Sequence, residues 1–274
     1  MIWPAEDLWL ALVARQPGLT VEVLPEIDST NTELMRRARA GQTESVLLVA
    51  EAQTAGRGRL GRPWHGEAGH ALTFSLGLML KPADWSGLSL AVGLSLARSL
   101  DPQGDLGVRL KWPNDLWVKR PDTPTGWGKL AGILIETALP TGMSYGSDQG
   151  REQGREQGRF CVVGVGINIA PPVAEGLSTA PLGLQDLQSG ITAPEVLMKV
   201  AEPLLATLLA FERAGFAPLQ NAFNARDALR HLPVTLSDGR SGVANGVDAT
   251  GALLVETEQG QEVVSSSEVS VRPV

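Results

Sequence analysis

The chain has 274 residues, 43% of them apolar, which is enough for a substantial core and excludes global disorder. Its net charge of −7 argues against general binding to nucleic acid, and its single cysteine, Cys161, excludes an internal disulfide and fits a reducing, cytoplasmic setting. No apolar run reaches membrane-spanning length and the opening residues MIWPAEDLWL lack a basic secretory start, so no membrane partner is expected.

Taken in chain order, residues 5–15 predict an amphipathic helix and TVEVLPEI (20–27) a strand. TNTE (30–33) has the spacing of a capping box, with Thr30 as N-cap and Glu33 three residues on, and the helix it opens is expected to stop at Gly41. SVLLVAEA (45–52) and ALTFSLGLML (71–80) predict strands on either side of a glycine–arginine loop, and GLSLAVGLSLARSL (87–100) predicts a helix. GVRLKWP, DLWVK, KLAGILIETAL (129–139) and RFCVVGVGINIA (159–170) read as strands of one sheet. RPDTPTGWG (120–128) looks like an insertion between strands. QGREQGREQGR (149–159) repeats one polar unit with no apolar residue and predicts a hairpin extension with nothing to bury. Helices are expected at 193–214 and 216–230. After His231, short strands with turn signals at SDGR, DATG and EQG predict a small all-β domain. The expected division is a catalytic domain over 1–231 and a C-terminal β domain over 232–274.

The loop GRGRLGRPW (56–64) matches G-x-G-x-x-G, but no helix follows to receive a pyrophosphate, and no Gly-Lys-Ser/Thr follows as in a P-loop. The residues fit a loop in which Gly56, Gly58 and Gly61 allow close approach, Arg57, Arg59 and Arg62 offer paired donors to phosphate, and Trp64 offers a face to a flat ring. A solvated basic loop is the plainer alternative. Between Arg57 and Lys129, ten Lys and Arg face six Asp and Glu, so the remaining chain carries a net −11 and the middle suits a small anionic ligand. In KWPNDL, Lys111 is a point charge for phosphate, Asn114 an amide able to read an adenine edge, and Asp115 a candidate metal ligand. In GKLAGILIE, Lys129 stands at a strand entrance and Gly132 where something approaches closely. GVGINI adds Gly164, Gly166 and Asn168. His65, His70 and His231 do not form metal-ligand spacing, and Ser29 has no nucleophile elbow.

DSTN (28–31), GRGRLGRPW, KWPNDL, KLAGILIE and GVGINI stand in the order and rough spacing of the biotin–protein ligase family, which the chain resembles over about residues 20–170. Leu60 departs from it, where the family often has a further arginine. The resemblance implies an α+β fold: a mixed-sheet catalytic domain of the biotin/lipoate-ligase type followed by an SH3-like β-barrel. It implies an enzyme that uses ATP, with Mg²⁺ on the phosphates, to form biotinyl-5′-AMP and pass biotin to a lysine of the biotin carboxyl carrier protein of acetyl-CoA carboxylase. Lys129, Arg59 and Lys111 would be catalytic. Ser29, Thr30, Asn31, Gln53, Gly56, Arg57, Gly58, Arg59, Lys129, Gly132 and Gly164 would bind biotin; Arg57, Arg59, Arg62, Trp64, Lys111, Asn114 and Asn168 would bind the nucleotide; Asp115 would be the metal ligand. About 26 residues precede IDST, too few for the winged helix-turn-helix of the family's repressors, so no DNA partner is expected and the chain is read as a monomer or homodimer. A lipoate–protein ligase of the same fold and a biotin- or adenylate-binding regulator are the alternatives. A pocket lined by Ser29, Thr30 and Gln53 would disfavour lipoate, whose dithiolane would leave them without partners at roughly 1–3 kcal/mol each.

Overall fold

The computed structural model describes residues 1–64, 66–123, 125–139, 158–172, 179–265 and 271–273. His65 and most of the 149–159 repeat lie outside them.

Strands β1 (Thr20–Ile27), β2 (Val46–Gln53), β3 (Ala71–Leu80), β4 (Val108–Lys111), β5 (Asp115–Lys119), β6 (Trp127–Ala138), β7 (Arg159–Asn168) and β8 (Ala180–Pro181) form one mixed sheet. Its order is β1-β2-β3-β7-β6-β5-β4, with β8 beside β6. β1 runs parallel to β2 and β8 parallel to β6; the other pairs are antiparallel. A second, antiparallel sheet has the order β12-β11-β10-β9-β13. Its strands are β9 (Pro233–Leu236), β10 (Ser241–Val247), β11 (Leu253–Thr257), β12 (Gly260–Val264) and β13 (Val271–Pro273). The fold is thus α+β, a mixed sheet with helices and a separate small β unit, as expected.

The period of two in the strands decides which face is core. In β3, Leu72, Phe74, Leu76, Leu78 and Leu80 enter the main core, as do Cys161, Val163, Val165 and Ile167 of β7 and Leu116 and Val118 of β5. Helices α1 (Ala5–Val13), α3 (Leu88–Leu100) and α4 (Ala193–Ala214) cover that face; α3 is buried over most of its circumference, which is why its sequence shows little amphipathicity. On the opposite face only one end is covered. There α2 (Thr30–Arg39) sets Leu34, Met35 and Ala38 against Val46, Leu48, Phe160 and Val162. The other end, carrying the small and polar residues of β3, β6 and β7, stays open.

Four expectations need correction. The N-cap of α2 is Ser29, whose Oγ accepts from Thr32 N at 3.4 Å; Thr30 lies inside the helix with its hydroxyl drawn to Gln53. Trp127 and Gly128 belong to β6, paired with Lys119 and Val118, so the intervening turn is 120–126; Trp127 is pulled into the sheet by packing on Trp117, with ring centroids 5.9 Å apart. The strand expected over 107–113 ends at Lys111, before a cis Trp112–Pro113 peptide. The helix expected over 216–230 is a 3-10 turn at Ala217–Leu219 and a short α5 (Gln220–Arg226). It stops where Asp227 bridges the edge of β4 and Ala228 N donates to Leu110 O at 2.8 Å. The small sheet docks on these elements: Trp112 Nε1 donates to Gly251 O at 3.1 Å, and Asn224 of α5 exchanges hydrogen bonds with Val247.

Candidate functional site

The open end of the sheet is floored by glycine. The β6–β7 register places Gly132 opposite Gly166 and Leu134 opposite Gly164. A Cβ on Gly166 would stand 2.3 Å from Trp64 Cε2, one on Gly164 2.0 Å from Asn31 Oδ1, and one on Gly132 3.2 Å from Trp64 Cζ3. The indole and the amide therefore lie directly on bare backbone. Above this floor is a cavity of about 220 Å³.

One end of the cavity is polar. Gln53 Oε1 accepts from Thr30 N at 2.8 Å and lies 3.1 Å from Thr30 Oγ1. The fully buried Ser75 Oγ donates to Asn31 Oδ1, which can only accept, at 2.6 Å, and so accepts from Thr30 Oγ1 at 2.7 Å. Asn31 Nδ2 in turn donates to Leu134 O at 3.2 Å and Glu136 Oε2 at 3.0 Å. The expectation that an apolar ring would orphan Ser29, Thr30 and Gln53 together is corrected by this network. Ser29 Oγ, Thr30 Oγ1 and Gln53 Oε1 have partners within the chain. Gln53 Nε2 is the group that makes no hydrogen bond among the described residues.

The other end is cationic. Lys129 Nζ lies 2.8 Å from Asp115 Oδ1, an ion pair without the alignment of a hydrogen bond, and 5.8 Å from the Trp64 ring centroid, within cation–π range. Lys111 is 8% exposed. Burial lowers its ammonium to about 8; Lys129, Arg59 and Arg62 push the same way and Asp115 opposes them. Burial also lowers Arg59, against the pull of Asp115. Among the described residues Asp115 is the one carboxylate lining the cavity, and no group of three or more His, Cys, Asp and Glu could hold a metal. Five cations, Arg57, Arg59, Arg62, Lys111 and Lys129, around that carboxylate leave a positive excess that an anionic ligand would balance.

The glycine–arginine loop is neither a Rossmann turn nor a P-loop. It is a small hairpin: Arg57 bridges Pro63, Gly58 N donates to Arg62 O at 2.7 Å, and Trp64 N donates to Gly56 O at 2.9 Å. A 3-10 turn at Arg59–Gly61 makes the tip, with Leu60 at φ 57° and Gly61 at φ 71°. Half-buried Arg59 lines the cavity, and Arg57 and Arg62 are exposed at its mouth. A Cβ on Gly56 would stand 2.6 Å from Trp64 O, so the hairpin needs glycine there.

The sequence-derived residues converge. Ser29, Thr30, Asn31, Gln53, Arg57, Gly58, Arg59, Arg62, Trp64, Lys111, Asn114, Asp115, Lys129, Gly132, Gly164 and Asn168 all line this cavity. Gly56 does not. It lines a second cavity of about 280 Å³ with Gly66, Glu67 and His70, which shares Gln53, Pro63, Trp64, Asn168 and Pro172 with the first. Trp64 Nε1 is buried there without a hydrogen-bond partner among the described residues. Two amides are partly committed to the fold: Asn114 Nδ2 donates to Ile133 O at 2.9 Å, and Asn168 Nδ2 donates to Lys129 O at 3.1 Å. Their oxygens remain as acceptors. Sequence reasoning missed Ser75 and Glu136. The signal for Ser75 was available, since Thr73, Ser75 and Gly77 alternate with leucine and phenylalanine in β3 and mark a second face built of small groups.

Fold and site together define a protein with a glycine-floored cleft that is hydrogen-bonding at one end and cationic at the other. Residues 23–146 match the model of the Biotin/lipoate A/B protein ligase family, and residues 233–272 match the Biotin protein ligase C terminal domain. The chain is 33% identical over 269 residues to the Bifunctional ligase/repressor BirA of Escherichia coli, covering 95% of this chain and 77% of that protein. It is 31% identical to the Biotin--[acetyl-CoA-carboxylase] ligase of Paracoccus denitrificans, covering 90% and 98%. Among solved structures, biotin protein ligase from Aquifex aeolicus in complex with biotin and ATP superposes with a TM-score of 0.73 at 26% identity, covering 93% of this chain and 99% of that one. The chain belongs to the biotin/lipoate protein ligase family.

Proposed function

We propose that this protein is an ATP-dependent biotin–protein ligase, which forms biotinyl-5′-AMP and transfers biotin to a lysine of the biotin carboxyl carrier protein of acetyl-CoA carboxylase. The observation that carries the reading is one cavity with a hydrogen-bonding end at Gln53–Thr30 and a cationic end at Lys111, Lys129 and Arg59. It is supported by relatives named as ligases of that carboxylase and by a structural neighbour in complex with biotin and ATP.

In the first step an oxygen of the biotin carboxylate attacks the α-phosphorus of ATP and pyrophosphate leaves. Two anions have to meet, and preorganised cations offset that repulsion where charge develops. Lys129, held by Asp115, would contact both the carboxylate and the α-phosphate. Lys111 lies deeper, and a phosphate beside it would supply the counter-charge its burial leaves wanting. In the second step the amine of the carrier lysine attacks the acyl carbon, and AMP leaves with the former α-phosphate. The ureido ring would sit against Ser29, Thr30 and Gln53 with Gly58 and the loop backbone. The adenine would lie against Trp64, with the Asn168 and Asn114 oxygens as acceptors for its amino group. Mg²⁺ would arrive on the triphosphate, which suits a site offering Asp115 as its one carboxylate among the described residues.

The test is ATP–pyrophosphate exchange with biotin or lipoate at matched concentration, followed by transfer to carrier protein. Biotin-dependent exchange and transfer are expected. Equal exchange with lipoate would replace the reading by lipoate ligation, and binding of biotin without exchange would leave a regulator.

A further inference from the structure

We propose that Trp112 is a positioning residue for MgATP: its buried indole, hydrogen-bonded to Gly251 O in the turn between β10 and β11, fixes how deep Lys111 stands in the cavity. This rests on the ligase reading above and adds to it a contact outside the cavity that sets nucleotide affinity.

Lys111, Pro113, Asn114 and Asp115 line the cavity, and Trp112 among them does not. Its side chain points the other way, fully buried in the main core with Leu110, as alternation along an extended chain requires. Lys111 and Trp112 are thus two ends of one lever. A buried ammonium is drawn toward water, so its depth is decided by whatever holds its backbone. On the strand side, Lys111 pairs with Asp115, Ala228 N donates to Leu110 O at 2.8 Å, and Arg226 Nη1 donates to Val108 O at 3.4 Å. On the far side, Ile133 N donates to Asn114 O and Asn114 Nδ2 donates to Ile133 O, both at 2.9 Å. Trp112 lies between these anchors, and its Nε1 donates to Gly251 O at 3.1 Å. The acceptor is built for close approach. Gly251 has φ 83°, and a Cβ there would stand 2.8 Å from Gly87 Cα at the start of α3. Asp248 Oδ1 closes the turn by accepting from Thr250 N, Thr250 Oγ1 and Ala252 N at 2.8, 2.7 and 3.0 Å. Trp112, Asp248 and Gly251 line neither cavity.

Trp112→Phe keeps a ring in the core and removes the donor. It is expected to raise KM for MgATP in ATP–pyrophosphate exchange on the order of tenfold, below the roughly 10²-fold that a misplacement of about 1 Å can cost. The Kd for biotin by calorimetry should stay within about twofold, because the hydrogen-bonding end of the cavity hangs from α2 and β2. A residue that only filled the core would lower the melting temperature and move neither constant. Asp248→Ala loosens the same turn without touching the core and should raise KM for MgATP about threefold, and it carries the test if Trp112→Phe melts out. An unchanged KM for MgATP in a folded Trp112→Phe protein, or in Asp248→Ala, overturns the inference, as does an equal rise in the Kd for biotin. Wild-type protein without biotin-dependent exchange would instead remove the ligase reading itself.

Discussion

Lys111 is a buried cation that the fold tolerates rather than uses, and replacing it with methionine should make the protein more stable while removing its activity. The side chain is 8% exposed, and burial lowers its ammonium from the ordinary 10.5 to about 8. A lowered lysine binds its proton less tightly in the folded protein. Its cost is full below about pH 8 and fades as pH rises toward 10.5, where the unfolded chain also loses the proton. At about 1.4 kcal/mol for each tenfold change, the cost at pH 7 is about 3 kcal/mol. Lys111→Met keeps most of the side-chain volume and removes the charge. It should gain that amount at pH 7, roughly 6–12 °C in melting temperature at 2–4 °C per kcal/mol, and the advantage should fall below about 1 kcal/mol by pH 10. Differential scanning calorimetry of both proteins from pH 6.5 to 10 measures it. In the same variant the rise in melting temperature on adding biotin and MgATP should largely disappear, because the anion loses its deepest cation. A Lys111→Met protein that melts below wild type at pH 7, or an advantage that grows with pH, would refute the reasoning.

Two further outcomes follow from geometry on either side of that lysine. Gly166→Ala would put a methyl 2.3 Å from the Trp64 ring and should lift the indole off the floor, weakening MgATP binding by calorimetry at least tenfold with little change in melting temperature, since Trp64 stands on a loop; MgATP binding within twofold of wild type would show that the ring position is unimportant. Asp227 has an Oδ2 sealed from solvent with no hydrogen-bond partner among the described residues, and burial raises its carboxyl from 3.8 to about 6 against the opposing Leu229 N and Arg230. The folded state thus holds this proton more tightly, a stabilisation present in acid and lost as pH rises through about 6, so Asp227→Asn should melt higher than wild type at pH 7.5, by at most about 3 kcal/mol, and lose that advantage toward pH 4. An advantage that does not shrink in acid would count against the buried carboxyl.

What the sequence disclosed was what local chemistry determines. Strands β2, β3 and β7 were legible because β-branched and leucine runs have few other stable states, and α4 because Thr192 and Glu195 cap it visibly. The cationic end was legible because lysine is scarce here and two of the five lie in KWPNDL and GKLAGILIE. Features that need two distant segments stayed hidden. Nothing local says that Gly132 will face Gly166, yet that register is what lets Trp64 lie flat, and it comes from pairing β6 with β7 across a gap of 20 residues. Thr30 was read as a cap because its spacing to Glu33 was right, whereas its hydroxyl is committed to Gln53 and Ser75, from β2 and β3, and Ser29 inherits the cap. The alternation in β3 marks Ser75 as a small polar position but says nothing of its partners. That it bridges Thr30 and Asn31 depends on α2 lying above it, and the physical reason is general: a buried hydroxyl takes its partners from segments brought in by the fold, so only the assembled network shows which groups it joins.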